Sequence, residues 1–312
     1  MFDYSVHKKI SMITLKQIHY ALTVEKELHF KKAADSCYVS PSTLSNAISE
    51  MEAQLGIKIF ERTNKKVIVT NLGKEVLKKA KAIKMGMDDI YQLGESQKNP
   101  LTTPITLGII PTIGPYFIPL VLPSLKERFP QLKLKIIEAQ SSVLINKVND
   151  GEIDMAILAM PYKIDGLLSY KFWEEDFYYI SHKKNSILNE NKIKAKEIDL
   201  SNLMLLDDGH CLKSHVLAAC KIDNDKQYSM EASSLTTLTQ LVAGGMGSTL
   251  VPHMAIEQLV SSNPLITKAH LDEPGPHREL AVIIRPSYSA LENVKLLIDI
   301  FSSSLKENTK YF

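Results

Sequence analysis

Residues 30–56 read FKKAADSCYVSPSTLSNAISEMEAQLG. Within them Ser40 is a good helix cap, Pro41 suits the first helical position, and Gly56 suits the residue that ends a helix. Leu44, Ile48, Met51 and Leu55 then share one face. Ser42, Ser45, Asn46 and Ser49 lie on another, with Thr43 beside them near the helix start. Such a helix can bury its apolar stripe in its own domain while short donors and acceptors meet base edges and phosphates in a DNA major groove. The same pattern alone also describes an ordinary surface helix, so the flanking segments decide.

Upstream, residues 15–27 (LKQIHYALTVEKE) carry apolar positions at helical spacing, and residues 29–37 form a short second helix. Downstream, GIKIFERTNKKVIVT reads as two short strands around the turn Thr63, Asn64, Lys65 and Lys66. A hairpin tipped with Arg62, Lys65 and Lys66 suits a grip on the DNA backbone. Thr70 can cap a long helix in which Val76, Ala80, Ile83, Met87 and Ile90 step by four, three, four and three. That is a heptad seam, and it predicts pairing between two chains, with two reading helices on a dyad-symmetric site. Residues 58–84 hold nine Lys or Arg against two Glu, while the chain beyond residue 98 is mildly acidic. A basic reader joined to a signal-receiving portion has this charge distribution.

In this order, the helical start, the LFxRT-like IFERT and the capped long helix resemble the winged helix-turn-helix of LysR-type transcriptional regulators. The resemblance implies a DNA-binding domain at 13–70, a linker and dimerisation helix at 71–97, and double-stranded promoter DNA and RNA polymerase as partners. DNA contacts are expected from Ser40, Ser42, Thr43, Ser45, Asn46, Ser49, Arg62, Lys65 and Lys66. Pro41 departs from the glutamine usual at its place. Cys37 stands where the family has a buried apolar side chain and is read as core. Residues 1–11 precede the family's usual start.

The 312-residue length suits two or three packed domains. A hydrophobic share of 45% with 23% charged residues excludes disordered and fibrous classes. No run approaches the roughly 18 apolar residues needed to cross a bilayer, and MFDYSVHKKISM lacks a signal-peptide core, so a cytoplasmic protein is expected. Three cysteines are too few for a secreted disulfide scaffold.

Beyond a break at Gln97–Pro104 the chain alternates strand and helix: ITLGII, YFIPLVLPSLKERF, LKLKIIEA, a helix, and MAILAM. Alternation of this kind predicts a parallel sheet with helices on both faces. FYYISH, LMLLDD, the helix SLTTLTQLVAGG, STLVP and AVIIRP form a second unit, and LENVKLLIDIFSSSL returns to the first. The pattern resembles the LysR effector region, with two Rossmann-like subdomains of periplasmic-binding-protein type. Its expected span is 104–312, with subdomain I at about 104–171 and 287–306 and subdomain II at about 172–286. The chain as a whole is thus expected to be α/β with an α-rich N-terminal domain.

Thr112 and Ser141 each follow a strand at a helix start, where backbone N–H groups and a hydroxyl can hold a polar ligand or merely cap the helix. Gly244, Gly245 and Gly247 end a helix and read as a cap and turn rather than a phosphate loop. The segment LLDDGHCLKSHVLAAC sets Cys211 beside His210 and nine residues before Cys220. On one continuous helix the cysteines would face opposite ways roughly 13 Å apart. A disulfide needs Cα atoms within about 7 Å, so joining them demands refolding. An oxidation event would then act as a conformational switch.

DGHC, the second cysteine at this spacing, PTIGPY and IIRPS are similar to the peroxide-sensing subgroup of the LysR family. That resemblance implies that Cys211 attacks hydrogen peroxide and Cys220 resolves the product, with Thr112, Ser141, His210 and Arg285 around the peroxide and Arg285 supplying charge. It further implies homodimers and homotetramers, reset by thiol reductants, no cofactor, and activator or repressor action on oxidative-stress genes. Ser141 replaces the more usual threonine and Ser214 an acidic residue. A zinc site of His210, Cys211, His215 and Cys220 is a different reading. A regulator answering a metabolite in the inter-subdomain cleft is another. No nucleophile elbow, phosphate loop or metal motif in the right context supports an enzyme.

Overall fold

A computed structural model describes residues 12–62, 66–96, 100–185, 191–221 and 230–309. The chain divides into two compact units, Met1–Tyr91 and Gln92–Phe312. The first unit begins with three helices, α1 (Leu15–Glu27), α2 (Phe30–Ser36) and α3 (Pro41–Leu55). A reciprocal cap starts α1: the Thr14 hydroxyl accepts from the Gln17 N–H at 3.2 Å, and the Gln17 side chain accepts from the Thr14 N–H at 2.8 Å. Ser40 caps α3 by accepting from the Thr43 N–H at 3.1 Å, Pro41 takes the first turn, and Gly56 ends the helix at φ 65°. Leu44, Ile48 and Met51 lie in one core with Ala21, Val24, Ala33 and Ala34, and Leu55 and Cys37 pack against it.

Strands β1 (Phe60–Arg62) and β2 (Val67–Val69) pair antiparallel, with Phe60 opposite Val69. The Glu52 carboxylate ties this wing to α3, accepting from the Ile59 and Phe60 N–H groups at 2.9 and 3.1 Å and from Lys58 at 2.8 Å. The turn residues Thr63, Asn64 and Lys65, the Arg62 side chain and residues 1–11 lie outside the described residues. Helix α4 (Asn71–Ser96) is capped as expected, with the Thr70 hydroxyl accepting from the Gly73 N–H at 2.8 Å. Its heptad seam divides. Ala80 is buried in the unit's own core, while Ile83 and Ile90 are 49% and 71% exposed.

In the second unit the chain runs through β3 (Ile105–Ile109), α5 (Gly114–Arg128), β4 (Leu134–Glu138), α6 (Ser141–Asn149), β5 (Met155–Met160) and β6 (Leu168–Glu175). It continues through β7 (Phe177–His182), β8 (Lys192–Ile193), β9 (Met204–Leu206), α7 (Cys211–Cys220) and β10 (Met230–Ala232). The last elements are α8 (Leu235–Ala243), β11 (Ser248–Pro252), β12 (Ile266–Leu271), β13 (Arg278–Ile284) and α9 (Leu291–Thr309). One sheet has the order β4-β3-β5-β13-β6 and another β11-β7-β12-β8. Each has its own core, and the α9 residues Val294, Leu297 and Phe301 return to the first.

Two expectations change. Neither sheet is purely parallel: β3 runs parallel to β4 and β5, but β13 is antiparallel to both β5 and β6, and β7 pairs antiparallel with β11 and β12. Strands β6 and β13 also ladder together in the first sheet, from Arg278–Glu175 to Ile284–Leu168. The chain therefore crosses between subdomains at residues 176 and 277, rather than at 172 and 286, because hydrogen-bond register and not composition sets where a strand leaves its sheet. These crossings carry a histidine cluster. The His277 Nδ1 accepts from the Phe177 N–H at 2.9 Å with its ring stacked on Phe177 at 5.5 Å, and the His270 Nε2 lies 3.0 Å from an Asp176 oxygen.

Burial holds His215, His253 and His277 below the ordinary histidine pKa, with Asp176 opposing this at His277. Each imidazole binds a proton less readily folded than unfolded, so the unfolded chain takes up more protons as pH falls below about 6.5. The second unit should therefore lose stability as pH falls below about 6.5, visible as a melting midpoint that falls by several degrees. A midpoint that stays level as pH falls through this range would contradict the assignment of three neutral histidines, two buried and one half-buried.

Candidate functional site

The site grows from the loop that leaves β9. Gly209 adopts φ +95°, and a Cβ there would meet the Gln140 side-chain oxygen at 2.6 Å. Only glycine lets this loop lie against the start of α6. His210 then caps α7, its Nε2 within 3.3 Å of Asp207 Oδ1, and Cys211 is the first helical residue. Cys211 is 5% exposed and belongs to the first subdomain's core, whereas Leu212, Val216, Leu217 and Cys220 belong to the second. Helix α7 thus sends one side chain across the subdomain boundary.

Burial pushes the Cys211 thiol up from its ordinary pKa. The Arg278 charge, the Ser141 hydroxyl, and the Ala159 and Cys211 backbones all pull it back. Arg278 is 1% exposed. Its Nε donates to Glu175 Oε1 at 2.8 Å, and its Nη2 lies 2.7 Å from the same oxygen. Its Nη1 donates to the Thr112 hydroxyl at 3.3 Å and its Nη2 to the Thr112 carbonyl at 3.2 Å. Cys220 has no comparable support: burial, with Glu273 nearby, pushes its thiol up to about 12. The cysteines start and end one ten-residue helix, so their Cα atoms stand roughly 13 Å apart along its axis, and both are free thiols.

Of the residues singled out in the sequence, Ser141 is set against the Cys211 thiol, Thr112 accepts from Arg278, and His210 precedes Cys211 with its ring toward Asp207. Arg285 does not supply the charge. Its Nη1 donates to the Ile153 and Val148 carbonyls at 3.0 and 3.4 Å, and its guanidinium lies 5.7 Å from the Tyr288 ring centre. That role falls to Arg278, which the sequence reading passed over together with Glu175. A signal existed: Arg278 shares strand parity with Leu280, Val282 and Ile284, so a cation occupies an inward position and needs partners. Ser214 is exposed, and Lys213 pairs with Asp208 and Glu231 at 2.8 and 2.6 Å. His215 Nε2 donates to the Pro161 carbonyl at 3.1 Å. No group of three or more metal-ligating side chains occurs among the described residues.

On α3, Ser40, Ser42, Thr43, Asn46 and Ser49 are exposed and Ser45 is half-buried. Lys66 is exposed on the wing, and the Ser40 hydroxyl lies 2.8 Å from both the Ser42 and the Thr43 hydroxyl. No helix among the described residues is long and apolar enough to cross a membrane.

A DNA-reading helix-turn-helix and a two-subdomain effector unit define a transcription regulator rather than an enzyme. The chain belongs to the LysR family: residues 15–74 match the bacterial regulatory helix-turn-helix of that family and residues 98–306 its substrate binding domain. It is 36% identical to the HTH-type transcriptional regulator EstR of Acinetobacter baylyi, over 92% of this chain and 95% of that one. It is 30% identical to a hydrogen peroxide-inducible genes activator of Dickeya chrysanthemi, over 88% of this chain and 90% of that one. Among solved structures, a full-length OxyR mutant from Pseudomonas aeruginosa superposes with a TM-score of 0.79 at 30% identity, covering 93% of this chain and 95% of that one. A peroxide-bound OxyR mutant from Corynebacterium glutamicum gives 0.65 at 31% identity, with 95% and 94% covered.

The two arginines separate cleanly by mutation. Arg278→Gln should raise the thiol further and slow Cys211 alkylation at neutral pH in a Cys37→Ser, Cys220→Ser background. Arg285→Gln should cost about 1–3 kcal/mol of stability through its lost carbonyl bonds and leave that rate unchanged. Equal alkylation rates in the two variants would show that Arg278 does not act on the sulfur.

Proposed function

We propose that this regulator senses hydrogen peroxide through reversible oxidation of Cys211 and Cys220 and controls oxidative-stress genes. The observation that carries the reading is the asymmetry of the two thiols. Cys211 is met by a guanidinium, a hydroxyl and the backbones of Ala159 in β5 and of Cys211 itself, whereas Cys220 has burial and a carboxylate against it. A thiolate is the species that attacks peroxide. Cys211 sulfur would attack one peroxide oxygen, the O–O bond breaks, and the departing hydroxide takes a proton to leave as water, giving a sulfenic acid. Cys220 would then attack that sulfur, forming the S–S bond and expelling a second water. Thr112, Ser141 and His210, with Arg278 in place of Arg285, surround the reacting oxygen. The names of the OxyR relatives support the chemistry.

Cys220 joins Cys211 only if α7 unwinds, because a helix cannot bring its two ends within disulfide reach. Unwinding takes Cys211 out of one core and Cys220 out of the other. In a tetramer built on pairs of α4 seams, the sensor units then pair differently and the four reading helices change spacing. Contact with promoter DNA and RNA polymerase shifts with them, and cellular thiol reductants reset the switch. The DNA contacts fall to Ser40, Ser42, Thr43, Ser45, Asn46 and Ser49 on α3, and to Arg62, Lys65 and Lys66 on the wing.

A metabolite-responsive regulator is the second reading, favoured by the higher identity to EstR than to the peroxide activators. Its ligand would use the cleft of about 560 Å³ lined by Glu175, Asp176, Tyr178 and His253. Equimolar peroxide added to the reduced protein decides between the two. A Cys211–Cys220 bridge found by peptide mass spectrometry is expected, with Cys211→Ser blocking it and leaving DNA affinity intact, and untouched thiols would sink the sensing reading. In the N-terminal unit, Asn46→Ala should weaken specific operator binding by about 1–3 kcal/mol, and Lys66→Ala should weaken all sequences alike and flatten the salt dependence. Footprinting that finds either variant unchanged would remove that residue from the interface.

A further inference from the structure

We propose that Glu175 sets the reactivity of Cys211 at one remove: its carboxylate fixes the Arg278 guanidinium and neutralises part of the charge that guanidinium presents to the thiol. The proposal rests on the reading of Cys211 as the reacting thiol. Sheet register builds the pair, since Glu175 at the end of β6 stands directly opposite Arg278 at the start of β13. Both residues are buried, with 1% or less of either side chain exposed. One carboxylate oxygen takes two guanidinium nitrogens at 2.8 and 2.7 Å, and the other accepts from the Met254 N–H at 2.9 Å. Met254 lies in the turn His253–Ala255 that follows β11, so the carboxylate joins a cation of the first subdomain to the backbone of the second.

The neighbouring groups leave few other charges. Tyr162 faces the thiol, and Tyr116 and His215 face Arg278. Burial raises both tyrosines and lowers the histidine, so all three are neutral near pH 7. Among the described residues the charged groups around the pair are Asp207 beside His210 at the start of α7, Glu138 beside Tyr116, and Arg278 and Glu175 themselves. In a dry, weakly polarisable surrounding, a carboxylate bound to a cation reduces the field that cation exerts on a third group. An unopposed Arg278 would hold the sulfur as thiolate, open to alkylation and oxidation. The paired one leaves it mostly as thiol at rest.

The test follows iodoacetamide alkylation of Cys211 against pH in full-length protein carrying Cys37→Ser and Cys220→Ser. Glu175→Gln removes the charge and keeps the shape. It should move the midpoint down by about half a pH unit and speed alkylation at neutral pH about three-fold. Glu175→Asp keeps the charge and should stay near the parent. An unchanged or raised midpoint in Glu175→Gln, or an equal downward shift in both variants, overturns the proposal. Should Glu175→Gln fail to fold, the double variant Glu175→Gln, Arg278→Met buries no unpaired charge. Its midpoint must lie above the parent, because the guanidinium is only partly neutralised, and a midpoint at or below the parent rejects the idea. Iodoacetamide reads the thiolate whether or not peroxide reacts, so a chain indifferent to peroxide would refute the sensing proposal while these midpoints still judge Glu175.

Discussion

A buried guanidinium, clamped between Glu175 and Thr112, is the constraint around which the effector unit is built. Taking two opposite charges out of water costs several kcal/mol per ion, and a well-packed apolar pair of similar size often does as well for stability. The pair is therefore poorly explained as a device for holding the subdomains together. Its position makes sense through the sulfur beside it, since the Arg278 charge opposes the effect of burial on Cys211. The first sheet had to place β13 antiparallel beside β6 to bring the pair into register, and the crossings at residues 176 and 277 follow from that pairing.

Helix α7 turns this electrostatic arrangement into a mechanical one. Its first side chain is anchored in one subdomain and the rest of its buried face in the other. A ten-residue helix is a rigid spacer of about 13 Å, longer than a disulfide can bridge. The resting fold therefore separates the two thiols by the same element that joins the two cores. Chemistry that links the thiols must dismantle that element. Under the proposed sensing chemistry Cys211, whose burial is opposed by the Arg278 charge, reacts first, and Cys220, with burial and Glu273 against it, follows once the helix opens.

The reading unit depends on a different carboxylate. Glu52 sits near the end of α3 and takes the Ile59 and Phe60 N–H groups where β1 begins, so the helix and the wing strand are tied directly to each other. Short side chains along the exposed face of α3 leave nothing to hold it away from a groove. The division of the α4 seam follows from the same packing. Ala80 is small enough to be absorbed by the unit's own core, and the larger Ile83 and Ile90 are left on the surface.

The sequence by itself determined the reading helix with its Ser40 cap and Gly56 stop, the wing strands, the long capped α4, and most strands and helices of the effector half. Each is encoded in local spacing and in residues with strong conformational preferences. It also marked Thr112, Ser141, His210 and the two cysteines, whose neighbours in sequence are informative. What tertiary structure alone decided was which arginine serves the thiol, which carboxylate holds that arginine, and how the strands run. Arg278 and Glu175 lie 103 residues apart and meet through strand register, and Arg285, seven residues further on, is turned to the Ile153 and Val148 carbonyls instead. Contacts of that kind depend on how sheets assemble over long separations, and no local periodicity records them.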